Sequence, residues 1–321
     1  MPAVAVAPTT VPAAALLDFT DRWPAMVVKE LRQGLRARGF VVPFLLLHVL
    51  APGTVAVEYL LTRSGAGGAG WRAFAEGPGL FWVAVYSVVA GAMPLRLMES
   101  LRGESDGRNA ELLLLGGLTR WQIVRGKWLV QAVLTLLSLA SLLPYMLVRY
   151  FFGGVELVPS LFSFLSVLAA ALGMSGCVTG ASGYASLGMR FLVIGVSGLL
   201  LMGAAISTET LIFKARGVPR LKDLAFFAYG YSYALLFHAL YALIGLQLGR
   251  AHLKLFLIPH EISPTRGMMA MLITAPFMLV AGFFATCFVG SILVPMLLIY
   301  AVSVFDKSGP GTAWASGQPR P

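Results

Sequence analysis

The sequence predicts an all-α fold: a polytopic membrane helical bundle of six spans, a C-terminal helical hairpin that makes eight in total, and an N-terminal interfacial amphipathic helix. The first observation is composition, because 58% of the 321 residues are hydrophobic and only 12% are charged. That is about half the charged fraction of soluble domains, too little to cover a water-facing surface. The second is that the apolar residues form runs of about the 20 residues that cross a hydrocarbon core.

The six spans are bounded by charged residues. Arg38 precedes the first apolar run, Lys127 and Arg149 bracket the third, and Arg190 separates the fourth from the fifth. The second run is short, and we expect it to continue past Pro94. The predicted spans are residues 39–61, 80–95, 128–148, 159–187, 191–213 and the stretch between Asp223 and Arg250.

The C-terminal hairpin is predicted from length alone. Residues 268–305 contain 38 residues without a charge, about 57 Å as one helix at 1.5 Å per residue. One straight crossing cannot use that length, so we expect a turn near residues 286–290. Six spans with one long or broken terminal helix is the alternative.

The transmembrane domain is predicted to cover residues 23–305, with an interfacial helix at 24–38 and a polar loop at 96–127. Residues 1–22 have no basic segment before their apolar stretch, which prolines interrupt, so we predict a disordered tail and not a signal peptide. Residues 306–321 are predicted to be a second disordered tail.

The basic residues predict the orientation. With the N-terminus inside, 17 of the 24 Lys and Arg residues fall in cytoplasmic segments. This distribution favours an orientation with both termini in the cytoplasm. We expect the protein in the cell membrane, which in a bacterium is the inner membrane. The same rule explains the net charge of +10 without a nucleic-acid partner. The seven exceptions are Arg63, Arg72, Arg149, Lys214, Arg216, Arg220 and Lys222.

The sequence predicts no catalytic, cofactor-binding or metal-binding residues. Cys177 and Cys287 both lie in apolar runs, which excludes a disulfide scaffold and a cysteine metal site. A phosphate-binding loop needs G-x-x-x-x-G-K-[ST], but Gly126-Lys127 is followed by Trp128. We therefore expect a protein that is not an enzyme.

Two polar segments stand out on the predicted cytoplasmic side. In residues 24–38, Val27, Leu31 and Leu35 recur every four residues among basic side chains, a pattern typical of a helix in the membrane interface; an ordinary positive-inside anchor is the alternative. In the loop, Gly116-Gly117 can end a short helix, and Thr119 with Gln122 has capping-box spacing that opens the next one.

The short helix before this break contains four consecutive leucines, Leu112, Leu113, Leu114 and Leu115. They cover every face of an element two turns long, so some must contact an apolar surface outside it. That surface is either the cytoplasmic ends of neighbouring spans or a separate soluble protein, with Glu111 on the polar rim.

Within the membrane, the fourth span has glycines at every third or fourth position, which predicts helix packing, or a dimer contact as one form of it, over a substrate path. These residues are Gly173, Gly176, Gly180 and Gly183. Glu58 and Glu209 lie near predicted outer helix ends, where we expect solvation, with a functional role as the alternative.

The run AELLLLGGLTRWQIVRGKWL, residues 110–129, resembles the segment before the third span of ABC-2-type permeases, the membrane subunits of ATP-binding cassette transporters. KELRQGLRARGF, residues 29–40, is similar to their N-terminal interfacial helix. The chain departs from the family where Arg108-Asn109-Ala110-Glu111 replaces its Gly-Thr-Leu-Glu start and Gly116-Gly117 replaces its Thr-Pro break.

The resemblance implies a permease subunit, an exporter of unknown substrate, that works with a second permease copy or paralogue and a separate ABC ATPase subunit in the lipid bilayer. ATP and Mg would bind that partner, so no cofactor is expected in this chain. A cytoplasmic coupling helix would contact the ATPase through Arg108, Glu111, Leu112, Leu113, Leu114, Leu115 and Leu118.

A secondary carrier and a membrane enzyme are the two alternatives to a permease subunit. An ion- or proton-coupled secondary carrier often shows internal repeats and intramembrane charges, and the sequence shows neither a clear repeat nor a buried charge pair. A membrane enzyme acting on lipid needs clustered His, Asp, Glu, Ser or Cys at one interface, and four scattered histidines do not supply that cluster.

Overall fold

A computed structural model describes residues 25–65, 68, 74, 79–106, 118–152, 157–214, 221–253, 265–285 and 290–304, and these contain helices and turns but no β-strand. The α-helices are α1 (Ala25–Arg36), α2 (Arg38–Ser64), α3 (Gly79–Val85), α4 (Ser100–Asp106), α5 (Arg120–Ala140), α6 (Leu143–Phe151), α7 (Leu157–Ala181), α8 (Leu187–Lys214), α9 (Leu221–His252), α10 (Thr265–Ala285) and α11 (Gly290–Val304).

The predicted membrane bundle is confirmed. Six helical stretches are long and apolar enough to cross a bilayer, namely residues 38–64, 79–104, 120–151, 157–181, 187–214 and 224–252. Large apolar side chains such as Val49, Leu199 and Phe277 are mostly exposed on the bundle, which suits a surface solvated by lipid. The chain is a multi-pass membrane protein.

Two further apolar helices, α10 and α11, occupy the region of the predicted hairpin. They contact each other and both pack on α9. α11 has 15 residues, about 22 Å at 1.5 Å per residue, which is shorter than a hydrocarbon core of about 30 Å. The hairpin's two crossings therefore stay a prediction.

The second span is longer and less regular than its predicted range of 80–95. After α3 the chain forms a π-helical segment, Tyr86–Ala92, then a 3-10 segment, Met93–Glu99, and then α4. Pro94 explains the change, because its ring has no N–H and clashes with the carbonyl four residues earlier in an α-helix. Helix continues to Asp106, so the first residues of the polar segment 96–127 are helical.

The fourth span ends earlier than predicted, at Ala181 and not at residue 187. Residues 182–186 form a turn that hydrogen-bonds to α8 and to α4. Arg190 Nε of α8 donates to the Tyr184 carbonyl at 2.7 Å, and Ser182 Oγ accepts from the Leu101 backbone N–H of α4 at 3.3 Å. These bonds stabilise a non-helical connection in a sequence apolar enough to continue the span.

α7 lies at the centre of the bundle and packs against α5, α8, α9 and the π-helical and 3-10 segments. We call the end of the bundle that contains α1, α4 and the turn at 182–186 the α1 end. We call the other end, which contains α6 and the start of α3, the distal end.

Candidate functional site

Most of the predicted coupling helix lies outside the described residues. This applies to Arg108, Glu111, Leu112, Leu113, Leu114 and Leu115, all within residues 107–117. Leu118 is described and half-buried, and it packs beside Trp121 on a cluster that includes Leu101, Ile123 and Leu246. The structure therefore describes the two helices that flank residues 107–117, α4 and α5, and their surroundings at the α1 end.

Lys127 joins the helices on both sides of that segment. It is on α5, its side chain is 6% exposed, and its Nζ lies 3.0 Å from Glu104 Oε1 of α4 and 3.4 Å from Glu30 Oε1 of α1. A buried ammonium requires such partners, because unpaired charge is strongly disfavoured away from water. α1, α4 and α5 are thus held together around one cation.

The predicted capping box at the start of α5 is confirmed. Thr119 Oγ1 accepts from the Gln122 backbone N–H at 3.2 Å, and the Thr119 backbone N–H donates to Gln122 Oε1 at 2.8 Å. Both bonds satisfy N–H groups that a helix start leaves unpaired. The first residue of α5 is therefore fixed by the side chains of Thr119 and Gln122.

α4 is also fastened to the turn at 182–186. Arg102 Nη1 donates to the Ala185 carbonyl at 2.6 Å, beside the bond from Leu101 to Ser182. At the α1 end, α4, which precedes residues 107–117, is thus bonded to the turn between α7 and α8 as well as to α5. No spacing in the sequence predicts these contacts, since the partners are about 80 residues apart.

Gly173, Gly176 and Gly180 of α7, and Gly183 in the turn that follows it, face α9 and not the bundle surface. A methyl group added at Gly176 would lie 2.6 Å from the Ala242 carbonyl oxygen, and one at Gly180 would overlap the backbone of Gly245. Gly173 lies against the His238 backbone, and Gly183 lies against the His252 side chain. This approach requires residues without a Cβ, and α9 covers the stripe within one chain.

Glu58 is not solvated as expected but forms a buried ion pair at the distal end. Its Oε2 accepts from Arg149 Nε at 2.9 Å, and its Oε1 accepts from the Phe81 backbone N–H at 2.8 Å. Arg149 is 4% exposed, and its guanidinium also lies over the Phe81 ring. The sequence-based statement that the chain has no buried charge pair was therefore wrong.

Glu209 is also buried, with 7% of the residue exposed, which contradicts the expected solvation. Its Oε1 lies 2.9 Å from Tyr86 Oη, and its Oε2 accepts from Ser163 Oγ at 2.8 Å. Tyr86 Oη is also 2.7 Å from Ser166 Oγ. Because the phenol has one proton, it donates to the carboxylate and the Ser166 hydroxyl donates to the phenol.

The Glu209 cluster borders a cavity of about 350 Å³ between the second span and α8. Its described walls are apolar apart from a few hydroxyls, the Trp82 indole and the carboxylate itself, and they include Phe74, Trp82 and Met202. A second cavity, of about 440 Å³, lies between α8, α9 and α10 beside Tyr233 and Pro276. Tyr86 was not predicted as a site residue from the sequence. The one feature of the sequence that could have indicated it is its position eight residues before Pro94, within the part of the helix that Pro94 distorts.

In the described part of the chain, no group of three or more His, Cys, Asp or Glu residues could hold a metal ion. Cys177 is a buried free thiol, 3.4 Å from the Tyr241 carbonyl oxygen. Cys287 lies outside the described residues.

Comparisons of the chain with models of known protein families, with curated proteins and with solved structures found no match.

Proposed function

We propose that the chain is the permease subunit of an ABC-2-type transporter, an exporter that receives force from a separate ATPase through residues 107–117. The proposal starts from the resemblance of residues 110–129 and 29–40 to that family. Its main structural support is the ion pair between Lys127 of α5 and Glu104 of α4. Because this pair joins the two helices that flank residues 107–117, a force applied to that segment would act on α4 and α5 together.

The two helices that flank residues 107–117 each lead to the distal end. The second span runs without a described break from Asp106 back to Gly79 and contains Tyr86, which contacts Glu209. α5 and α6 run from Arg120 to Phe151 and contain Arg149, which contacts Glu58. A shift at the α1 end would therefore change polar contacts on the other side of the membrane, as alternating access requires.

In this proposal the α1 end and both termini face the cytoplasm, as the positive-inside rule favours. A second permease copy or paralogue would complete the transporter, and ATP and Mg would bind the ATPase.

Co-purification with a charge-reversal variant tests the coupling. The wild-type chain, extracted in mild detergent, should retain a protein that contains G-x-x-x-x-G-K-[ST]. Glu111→Arg should lower its recovery by about tenfold or more, since reversing a charge at an interface costs a few kcal/mol. Lys29→Glu is the matched control, because it also reverses a charge and Lys29 is exposed at the α1 end. Equal recovery with Glu111→Arg would refute the coupling assignment.

A second candidate function, a proton-coupled secondary carrier, gains support from the buried acids. Glu58 with Arg149 and Glu209 with Tyr86 are the kind of intramembrane groups that proton relays use. Transport in proteoliposomes separates the two functions. The permease requires ATP and the partner, whereas transport that persists without ATPase and stops when the proton gradient is dissipated would establish the carrier.

A further inference from the structure

We propose that the cavity between α8, α9 and α10 binds a small, uncharged hydrophobic compound with one carbonyl group, and that the Tyr233 hydroxyl donates to that carbonyl. The proposal concerns binding by this chain alone and holds whether or not the chain is a permease subunit.

The cavity lies beside a contact that fixes α10 against α9. Pro276 of α10 lines the cavity, and because proline has no N–H, the Leu272 carbonyl lacks its usual partner within the helix. Tyr241 Oη of α9 donates to that carbonyl at 3.1 Å. The cavity's volume of about 440 Å³ falls within the range of about 300–1,000 Å³ usual for small-molecule sites.

The cavity borders the surface that lipid solvates. Phe226 of α9 and Val280 of α10 both line it, and each is 55% exposed. An apolar compound concentrates in the bilayer, so it would reach the cavity from the side of the bundle.

The lining decides that the ligand is uncharged. The described residues that line the cavity include no Lys, Arg, His, Asp or Glu. An ion that left water or a headgroup for this site would have no counter-charge there, which is strongly disfavoured. Four aromatic side chains of α9 line it and offer ring faces and edges to an aromatic ligand, namely Phe226, Tyr229, Tyr233 and Phe237.

Tyr233 supplies a hydrogen-bond donor to the cavity. The hydroxyl protons of two other lining residues are used within α8, because Ser207 Oγ donates to the Gly203 carbonyl at 2.9 Å and Thr208 Oγ1 donates to the Ala204 carbonyl at 2.8 Å. The Tyr233 hydroxyl forms no hydrogen bond to another residue in the described part of the chain. Its proton is therefore available to a ligand.

The depth of Tyr233 favours a ligand that accepts this proton. The residue lies nine positions into the span 224–252, about 14 Å along the helix at 1.5 Å per residue. Lipid tails offer no acceptor, and a buried hydroxyl without a partner is costly. A carbonyl on an otherwise apolar compound satisfies the hydroxyl without bringing a charge.

Equilibrium binding of tritiated benzophenone to the purified full chain in dodecyl maltoside tests the proposal. We expect saturable binding to the wild type and binding about two- to tenfold weaker to Tyr233→Phe, the usual effect of one neutral hydrogen bond. Tyr300→Phe, the same change at a tyrosine of α11 that is 67% exposed, should bind as the wild type does. Absence of saturable binding, or equal binding by Tyr233→Phe, would overturn the proposal.

Diphenylmethane, which has the two rings but no carbonyl, separates a hydrogen bond from a structural role of Tyr233. It should compete equally well for the wild type and for Tyr233→Phe, because it cannot accept the proton. If the substitution weakened both compounds to the same extent, the assigned hydrogen bond would be refuted.

A substitution that fills the cavity tests the location. Ser207→Trp should weaken benzophenone binding about tenfold or more, since the indole occupies space that the ligand needs. Leu199→Trp adds the same side chain to α8 at a position that is 77% exposed and outside the described lining, and it should bind as the wild type does. Unchanged binding by Ser207→Trp would place the compound elsewhere and overturn the proposal.

Two competitors test the class of ligand. The carboxylate 4-benzoylbenzoate should compete at least about tenfold less well than unlabelled benzophenone, and equal competition would refute an uncharged site. Added phosphatidylcholine should lower benzophenone binding no more than the same mass of extra detergent does. A larger decrease would assign the cavity to a lipid and overturn the choice of a free compound.

Discussion

Lys127 of α5 and Glu104 of α4 form a 3.0 Å ion pair between the two helices that flank residues 107–117. The same ammonium reaches Glu30 of α1 at 3.4 Å. A single cation therefore fixes the relative positions of three elements at the α1 end.

Replacing Lys127 by methionine should destabilise the bundle by about 1–2 kcal/mol. Breaking a fully buried pair costs about 3–5 kcal/mol, but Glu30 and Glu104 are about one-fifth exposed and regain water. Reversible unfolding in SDS, followed by tryptophan fluorescence, measures the change. Lys29→Met, an exposed lysine of α1, should shift the free energy by less than about 0.5 kcal/mol; an equal shift in both variants would show that the pair does not stabilise the bundle.

Thr119→Ala should destabilise by about 0.5–2 kcal/mol, because the Gln122 backbone N–H loses its acceptor. Thr119→Ser retains the hydroxyl and should restore most of that loss in the same unfolding measurement. If serine were no better than alanine, the cap would not stabilise the start of α5.

Gly176→Ala should destabilise by about 1–3 kcal/mol, the usual range for overpacking. The added methyl group would meet backbone atoms of Ala242 within 2.7 Å, and a helix backbone cannot move aside as a side chain can. Gly195→Ala on α8 is the matched control, since nothing lies within 4 Å of its added methyl group. It should leave stability unchanged or raise it by up to about 1 kcal/mol through helix propensity; similar losses in both variants would contradict the close packing of α7 on α9.

The Glu58–Arg149 pair should show strong coupling in a double-mutant cycle. Glu58→Leu and Arg149→Leu should each cost about 3–5 kcal/mol, because each leaves the other charge buried. The double variant should cost about 1–3 kcal/mol less than the two single losses together. Arg63→Leu removes an exposed arginine near the same end and should cost no more than about 1 kcal/mol. Strictly additive single losses would show that the two charges do not interact.

The number and order of the six confirmed spans followed from hydropathy, because charged residues mark span boundaries independently of tertiary contacts. The helix over residues 100–106 could not be found this way. It is polar and follows Pro94, and it is held by contacts of Glu104, Arg102 and Leu101 with distant helices. The end of α7 was misplaced for the same reason, since a bond from Arg190 stabilises the turn that follows.

The buried acids show a second limit of the sequence. Glu58 and Glu209 stood out as acids in apolar runs, and their predicted heights near helix ends were reasonable from the helical rise. Whether such a residue is solvated depends on its neighbours, and Arg149 and Tyr86 come from helices far away in the sequence. Periodicity identified the glycine stripe of α7, but only the structure identifies α9 as its partner.

The most direct test of the proposed coupling is photo-crosslinking in intact cells from benzoylphenylalanine at position 113. The account predicts one major cross-link, to a nucleotide-binding ATPase, and its loss when Glu111→Arg is combined with the probe. Cross-links that form only within this chain would contradict it, as would labelling of a cysteine at position 113 by a membrane-impermeant maleimide added outside.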